Sequence, residues 1–219
     1  MAAISGTCAF FTAAGFVSGS VMYSYGLPKL LKGVDVRNAA PDRNPGGANA
    51  VRAAGVGIGL LCIALDVLKA FLPVYAAVTY AGIRGAELVP VAAAPVFGHA
   101  FSPFMKFHGG KAVAAFYGAM LALWPLSCVV LLPAAAMIVF KFLVPVKPDS
   151  LCVFVSLLVS CCALFFLVPD FFIRAAFLLA QAVVFYRTAR SPNEGAASIR
   201  IGRRTFSSSD FHPAKFRRL

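Results

Sequence analysis

Residues 53–82, AAGVGIGLLCIALDVLKAFLPVYAAVTYAG, carry only two charged side chains, Asp66 and Lys69. About 20 apolar residues cross a hydrocarbon core of about 30 Å. A helix of this length, at about 1.5 Å per residue, exceeds that core, so it is tilted or extends into water. A backbone in lipid must satisfy its own hydrogen bonds, which makes the segment helical. Outward from it, further apolar runs lie at roughly 4–27, 88–105, 111–124, 126–146, 151–168 and 170–187. The run 111–124 is short and closed by Trp124-Pro125, so the reading is seven spans, or six if that run is a half-span. The chain is 60% hydrophobic and 13% charged, with a mean hydropathy of +0.83, whereas a soluble domain is about half apolar and about a quarter charged. Alternation in ten-residue segments, the mark of a β-barrel, is missing. The fold class is an all-α, polytopic membrane helix bundle.

Charge orients it. The 28–52 loop holds Lys29, Lys32, Arg37, Arg43 and Arg52, and the 106–111 loop and the segment after Arg187 are also basic. The opposite loops offer Arg84 with Glu87, and Asp170 with Arg174. The positive-inside rule makes the basic loops cytoplasmic, and seven spans then place the N-terminus outside and the C-terminus inside. No positive n-region precedes the first run, which therefore reads as a span and not as a cleavable leader. Residues 1–187 form the membrane domain and 188–219 a basic, flexible tail. From Arg187 onward there are eight Lys/Arg against Glu194 and Asp210, a net of +6. Such a tail is drawn to anionic lipid at about 1 kcal/mol per basic residue. The chain's net charge of +12 could equally meet nucleic acid, but no recognition fold accompanies it and the membrane bias accounts for it. The six cysteines (8, 62, 128, 152, 161, 162) sit in apolar runs with no CxxC, and the three histidines are scattered, so no metal site is read.

Three polar clusters interrupt the apolar pattern. Asp66 and Lys69, three residues apart, share one helix face as an ion pair that is either structural or functional. Pro73 is expected to kink the same helix. Asn44-Pro45-Gly46-Gly47-Ala48-Asn49, followed by Arg52, reads as an anion nest at a helix start, with a plain glycine-rich connection as the bland alternative. Gly98-His99 and Gly109-Gly110-Lys111 form the third cluster. Paired glycines admit a ligand to the backbone and Lys111 supplies a countercharge, but a nucleotide P-loop has a different spacing. His99 is either a general base or a hydrogen-bonded structural histidine.

In order, these segments resemble the bacterial integral-membrane acyl-phosphate:glycerol-3-phosphate acyltransferases over roughly residues 15–187. Gly19, Ser20, Lys29, Gly33, Asp35 and Arg37 match the first family motif. Asn44, Gly46, Asn49 and Arg52 match the glycine-rich loop. Asp66, Lys69 and Pro73 match a third motif, and Gly98, His99, Phe101, Phe107, Gly109, Gly110 and Lys111 a fourth. The chain departs from the family where Ala40-Pro41-Asp42-Arg43 replaces a glycine–serine turn, removing a serine near the substrate phosphate. The family's R-Y-V-S falls best on Lys147-Pro148-Asp149-Ser150, with Lys141 competing. Its closing histidine and asparagine are absent from Arg187-Thr188-Ala189-Arg190-Ser191.

The resemblance implies acyl transfer from acyl phosphate to glycerol 3-phosphate, giving lysophosphatidic acid at the cytoplasmic face of the bacterial inner membrane, with no cofactor. It implies catalytic roles for Ser20, His99 and Lys111. Arg37, Arg43, Asn44, Gly46, Gly47, Asn49, Arg52, Gly109, Gly110 and Ser150 would bind substrate, and Asp66 and Lys69 would support the site. The expected partners are both substrates and membrane lipid, not nucleic acid; oligomeric state is open. The rival readings are a non-catalytic relative that binds a lipid phosphate or acyl phosphate, another polyol-phosphate acceptor, and a small organic-anion transporter. No internal repeat favours the transporter.

Overall fold

The computed structural model describes residues 5–191, 195–202 and 204–208. Helix α1 (Gly6–Ser20) starts where the Ser5 hydroxyl accepts the Cys8 N–H at 3.1 Å. Helix α2 (Tyr23–Lys32) ends at Gly33, whose φ of 68° is the left-handed closure that glycine adopts without strain. After a polar loop come α3 (Gly47–Ala54) and α4 (Val56–Thr79), then α5 (Leu88–Ala100) and α6 (Val113–Ala122). Helix α7 (Leu131–Ile138) continues into a wider turn over Val139–Leu143. Helices α8 (Asp149–Leu167) and α9 (Phe171–Ala189) close the bundle, α9 capped by Asp170, which accepts the Ile173 N–H at 2.8 Å.

The chain is a mostly helical membrane-type bundle. Among the described residues, four helical segments are long and apolar enough to cross a membrane: Val56–Thr79, Gly85–Met105, Asp149–Leu167 and Phe171–Ala189. Val113–Ala122 and Leu131–Leu143 are apolar but shorter. Leu60, Leu72, Phe142 and Phe166 face outward, as a lipid-contacting surface requires.

The first apolar run differs from the single span read at 4–27, because it breaks at Val21-Met22. Two charges 42 and 48 residues away hold the break open. The Lys69 ammonium donates to the Val21 carbonyl, while Asp66 accepts from the Ser24 hydroxyl and, at 3.3 Å, from the Ser24 N–H. Lys69 and Asp66 themselves pair at 2.7 Å with both side chains buried. Backbone groups freed by a helix break inside a bundle need such partners. The pair is therefore structural in its contacts. Pro73 is contained within α4, which runs on to Thr79.

Helix α1 lies along α5 so closely that a Cβ on Gly98 would overlap the Phe16 carbonyl, and one on Gly19 would overlap the Pro95 backbone. Small residues of this kind let membrane helices meet backbone to backbone. Helices α4 and α6 pack together, as do α5 and α9, around a core that includes Val74, Val91, Met120 and the edge-on rings of Phe116 and Phe177, 5.2 Å apart.

Strands β1 (Val146–Lys147), β2 (Ser198–Ile201) and β3 (Arg204–Ser207) pair antiparallel in that order, with Val146 opposite Ile199 and Ile199 opposite Phe206. Part of the tail read as flexible thus forms a hairpin on the α7–α8 connection. The remainder of that reading, at 192–194, 203 and 209–219, lies outside the described residues.

Candidate active site

The loop between α2 and α3 folds through local polar contacts. Asp35 accepts the Arg37 N–H at 3.0 Å and starts a single 3-10 turn, Val36–Asn38. Arg43 then adopts a left-handed φ of 48°, and Asp42 accepts the Asn44 N–H at 3.2 Å in an Asx turn. The turn delivers Asn44, Gly46 and Gly47 to the start of α3. From the other side, Gly109 and Gly110 lie against α5. The Gly110 N–H donates to the His99 carbonyl at 3.2 Å, and a Cβ on Gly110 would strike the His99 ring. Ala112 takes a left-handed φ of 62° before α6 begins. The two loops meet where the Lys111 N–H donates to Asn44 Oδ1 at 3.0 Å.

Between them opens a cavity of about 940 Å³. Its lining combines polar residues, among them Asp42, Asn49, Arg52, His99 and Lys111, with apolar ones, among them Ile63, Val67, Met137 and Phe142. Lys111 Nζ lies 2.8 Å from Asp42 Oδ2, and Asn49 Nδ2 donates to Asp42 Oδ1 at 2.9 Å and to the Asn44 carbonyl at 2.9 Å. Arg52 donates to Asn49 Oδ1 at 2.6 Å and pairs with Asp149 at 3.0 Å; Lys141 meets the other Asp149 oxygen at 2.5 Å. Burial pushes the Asp42 carboxyl up, but the hydrogen bonds from Lys111 and Asn49, with the lysine's charge, outweigh it and hold the group below its ordinary value.

Of the residues the sequence singled out, Asn44, Gly46, Gly47, Asn49, Arg52, His99, Lys111, Ser150 and Asp66 line this one cavity. Ser20, Arg37, Arg43, Lys69, Gly109 and Gly110 are not in its lining. The Ser20 hydroxyl is buried and donates to the Phe16 carbonyl at 2.7 Å, while the Ser20 carbonyl accepts from Ser102 at 2.6 Å. Arg37 is exposed and chelates the Asp35 carboxylate over the Tyr25 ring. The Arg37 hydrogen bond holds the Asp35 carboxyl low, and Asp35 in return raises Arg37. Arg43 is exposed. Gly109 and Gly110 act on the site indirectly, since they fix His99 and aim Lys111. Lys147 and Lys141, the two candidates for the family's missing arginine, both line the cavity.

Sequence reasoning did not assign Asp42, Asp149 or Arg187 to the site. Arg187 reaches from the end of α9 to the Gly109 carbonyl and, at 3.3 Å, to the Gly110 carbonyl, which ties α9 to the Lys111 loop. A basic residue closing an apolar run was the signal for it. Among the described residues no three His, Cys, Asp or Glu side chains gather as a metal site.

A membrane-type helical bundle with a cavity lined by both basic and apolar side chains defines the class, an integral-membrane helical protein with an internal cleft. Residues 9–194 match the family described as glycerol-3-phosphate acyltransferase, and the chain belongs to that family. It is 43% identical over 121 residues to glycerol-3-phosphate acyltransferase 2 of Thermotoga maritima, covering 54% of this chain and 60% of that relative's length. With the Thermosipho melanesiensis glycerol-3-phosphate acyltransferase it shares 34% identity over 160 residues, 73% of this chain and 75% of the relative. The crystal structure of PlsY, an integral membrane glycerol 3-phosphate acyltransferase, in its glycerol 3-phosphate form superposes with a TM-score of 0.73. The identity is 29%, covering 87% of this chain and 96% of that one. The lysophosphatidic acid form of PlsY gives 0.71.

Proposed function

We propose that this chain transfers a fatty acyl group from acyl phosphate to the 1-hydroxyl of glycerol 3-phosphate, producing lysophosphatidic acid and inorganic phosphate. The observation that carries the reading is that Lys111, Asn44, Asn49 and Arg52 line one cavity together with apolar side chains such as Ile63, Val67 and Met137. The relatives bear the corresponding name. The acceptor oxygen forms a bond to the acyl carbon, the bond from that carbon to the phosphate oxygen breaks, and the hydroxyl proton ends on the departing phosphate. Acyl phosphate is already activated, so positioning and charge stabilisation supply most of the acceleration. Lys111 and Arg52 hold phosphate charge, the Gly46–Gly47 amides at the start of α3 cradle it, and His99 orients the acceptor. The apolar lining side chains take the acyl chain. Asp66 and Ser150 contribute to the lining, Ser20, Gly109, Gly110 and Lys69 support it from behind, and Arg37 and Arg43 are exposed on the neighbouring loop.

The membrane arrangement belongs to the same reading. Helices α1, α4, α5, α6, α7, α8 and α9 supply seven crossings, while α2 and α3 lie at the cytoplasmic surface beside the basic loops. The N-terminus then faces outward, and the cavity opens to the cytoplasm from a bacterial inner membrane.

The non-catalytic alternative also has an observation in its favour, the Asp42 carboxylate already paired with Lys111. Purified protein mixed with palmitoyl phosphate and glycerol 3-phosphate decides between them. Lysophosphatidic acid and phosphate in equal amounts, both lost in Lys111→Ala, is the expected result. A folded protein releasing neither overturns the enzyme reading, and phosphate release alone means a different acceptor.

A further inference from the structure

Asp42 is out of place in a seat meant for an anion. Its carboxylate is 9% exposed and collects donors from three directions: Lys111 Nζ at 2.8 Å, Asn49 Nδ2 at 2.9 Å and the Asn44 N–H at 3.2 Å. Two of these side chains, Lys111 and Asn49, belong to the set that would otherwise face a ligand phosphate. Carboxylate and phosphate oxygens accept the same charge-assisted bonds, so the two compete for one place.

The carrier can yield. Asp42 sits in a loop between two short turns, next to Arg43 at a left-handed φ, and its own backbone N–H takes part in none of the regular helices. The core pair shows the contrast, because Asp66 is locked in α4 against Lys69 and Ser24.

We propose that Asp42 is a resident anion that occupies the phosphate seat when no substrate is bound, and that displacing it sets the specificity of the site for dianionic phosphomonoesters over monoanionic phosphodiesters. The inference rests on the reading of Lys111 as a phosphate contact. A tethered single charge is displaced by a ligand that brings two charges to Lys111 and Arg52. A ligand with one charge gains no electrostatic advantage and still has to move the loop. The consequence for a site at a lipid surface is that the diester headgroups of bulk phospholipid stay out, although the cavity's apolar lining would accept their chains. A seat filled by its own carboxylate about nine-tenths of the time lowers apparent affinity about tenfold.

The test uses the full chain in detergent, with inorganic phosphate at mildly alkaline pH as the dianion and dimethyl phosphate as the monoanion. Thermal stabilisation is titrated for wild type, Asp42→Asn, Asp42→Ser and Lys111→Ala. Expected are binding of phosphate but not dimethyl phosphate by wild type, and about tenfold tighter phosphate binding with measurable dimethyl phosphate binding in both Asp42 variants. Phosphate affinity in the Asp42 variants within twofold of wild type, or weaker, overturns the proposal while Lys111→Ala still loses binding. Equal phosphate binding by wild type and Lys111→Ala overturns the underlying reading of Lys111 and the proposal with it.

Discussion

Lys69 and Lys111 are both lysines paired with an aspartate, yet they belong to two different kinds of region. Lys69 is buried in the bundle, 3% exposed, and holds a broken helix together through Asp66, Ser24 and the Val21 carbonyl. Lys111 stands on a cavity wall between two glycine-rich loops, paired with Asp42, a loop residue. Both fall in family motifs, which imply a catalytic role for Lys111 and a supporting one for Lys69. What separates them is whether the pair's remaining hydrogen-bond partners come from helices packed around it or from loops that can move. The contrast is between a pair fixed among helices, although Asp66 also touches the cavity, and a pair carried by loops on the cavity wall.

The sharpest way to break this contrast is Lys69→Met. It leaves Asp66 as a lone buried charge, and losing one partner of such a pair costs about 3–5 kcal/mol. The thermal unfolding midpoint in detergent should fall steeply, and Asp66→Asn added to Lys69→Met should recover part of the loss. A wild-type midpoint in the single variant would show that Asp66 is not framework.

Lys111→Ala should do the reverse, with transfer falling about 10²–10³-fold, or about 2.7–4 kcal/mol, while the unfolding midpoint stays near wild type. Equal damage to midpoint and rate would merge the two regions into one. Between α1 and α5, Gly98→Ala should destabilise by about 1–3 kcal/mol through overpacking against the Phe16 carbonyl, measured by the same unfolding curve.

Arg37→Ala sharpens the boundary of the site. Its exposed pair with Asp35 is worth less than about 1 kcal/mol, so stability and KM should barely move. A tenfold rise in KM would return Arg37 to the phosphate, as its motif implied.

The smallest effect concerns pH. Asp42 is held below its ordinary value of 3.8, so its contribution is fully present above that value and disappears as pH falls through the depressed one. Stability of the loop, read by hydrogen exchange of its amides, should therefore be flat between about pH 5 and 8 and drop only in strong acid. A midpoint near neutrality would mean the Lys111 pair is absent in solution.

The bundle was legible because apolar runs such as 151–168 can satisfy lipid in only one way. The break at Val21-Met22 was not, since both residues are apolar and the groups that hold it are 42 and 48 residues distant. In the site, Asn44, Asn49, Arg52 and Lys111 stood out because amides and basic residues gathered among glycines beside membrane spans match an anion nest better than a plain solvated turn. Ser20 and Arg37 were named by the same motifs but spend their polar atoms on Phe16 and Asp35. Asp42, Asp149 and Arg187 were named within motif segments but not assigned to the site, because Lys111, Arg52 and Gly109, the partners that bring them to it, lie 69, 97 and 78 residues away.

The glycine contact between α1 and α5 also constrains how the protein is made. About 80 residues separate Gly19 from Gly98, so at about 5–20 residues per second α1 leaves the ribosome roughly 4–16 s before its partner. During that interval its open glycine face has only lipid or the insertion machinery to rest on, and Lys69 arrives before α5 does. Biogenesis therefore runs through a half-built stage in which α1, α2 and α4 are already joined by packing, by the Ser18 hydroxyl on the Lys69 carbonyl and by the Asp66–Lys69 contacts, with the α1–α5 backbone seam left to close last.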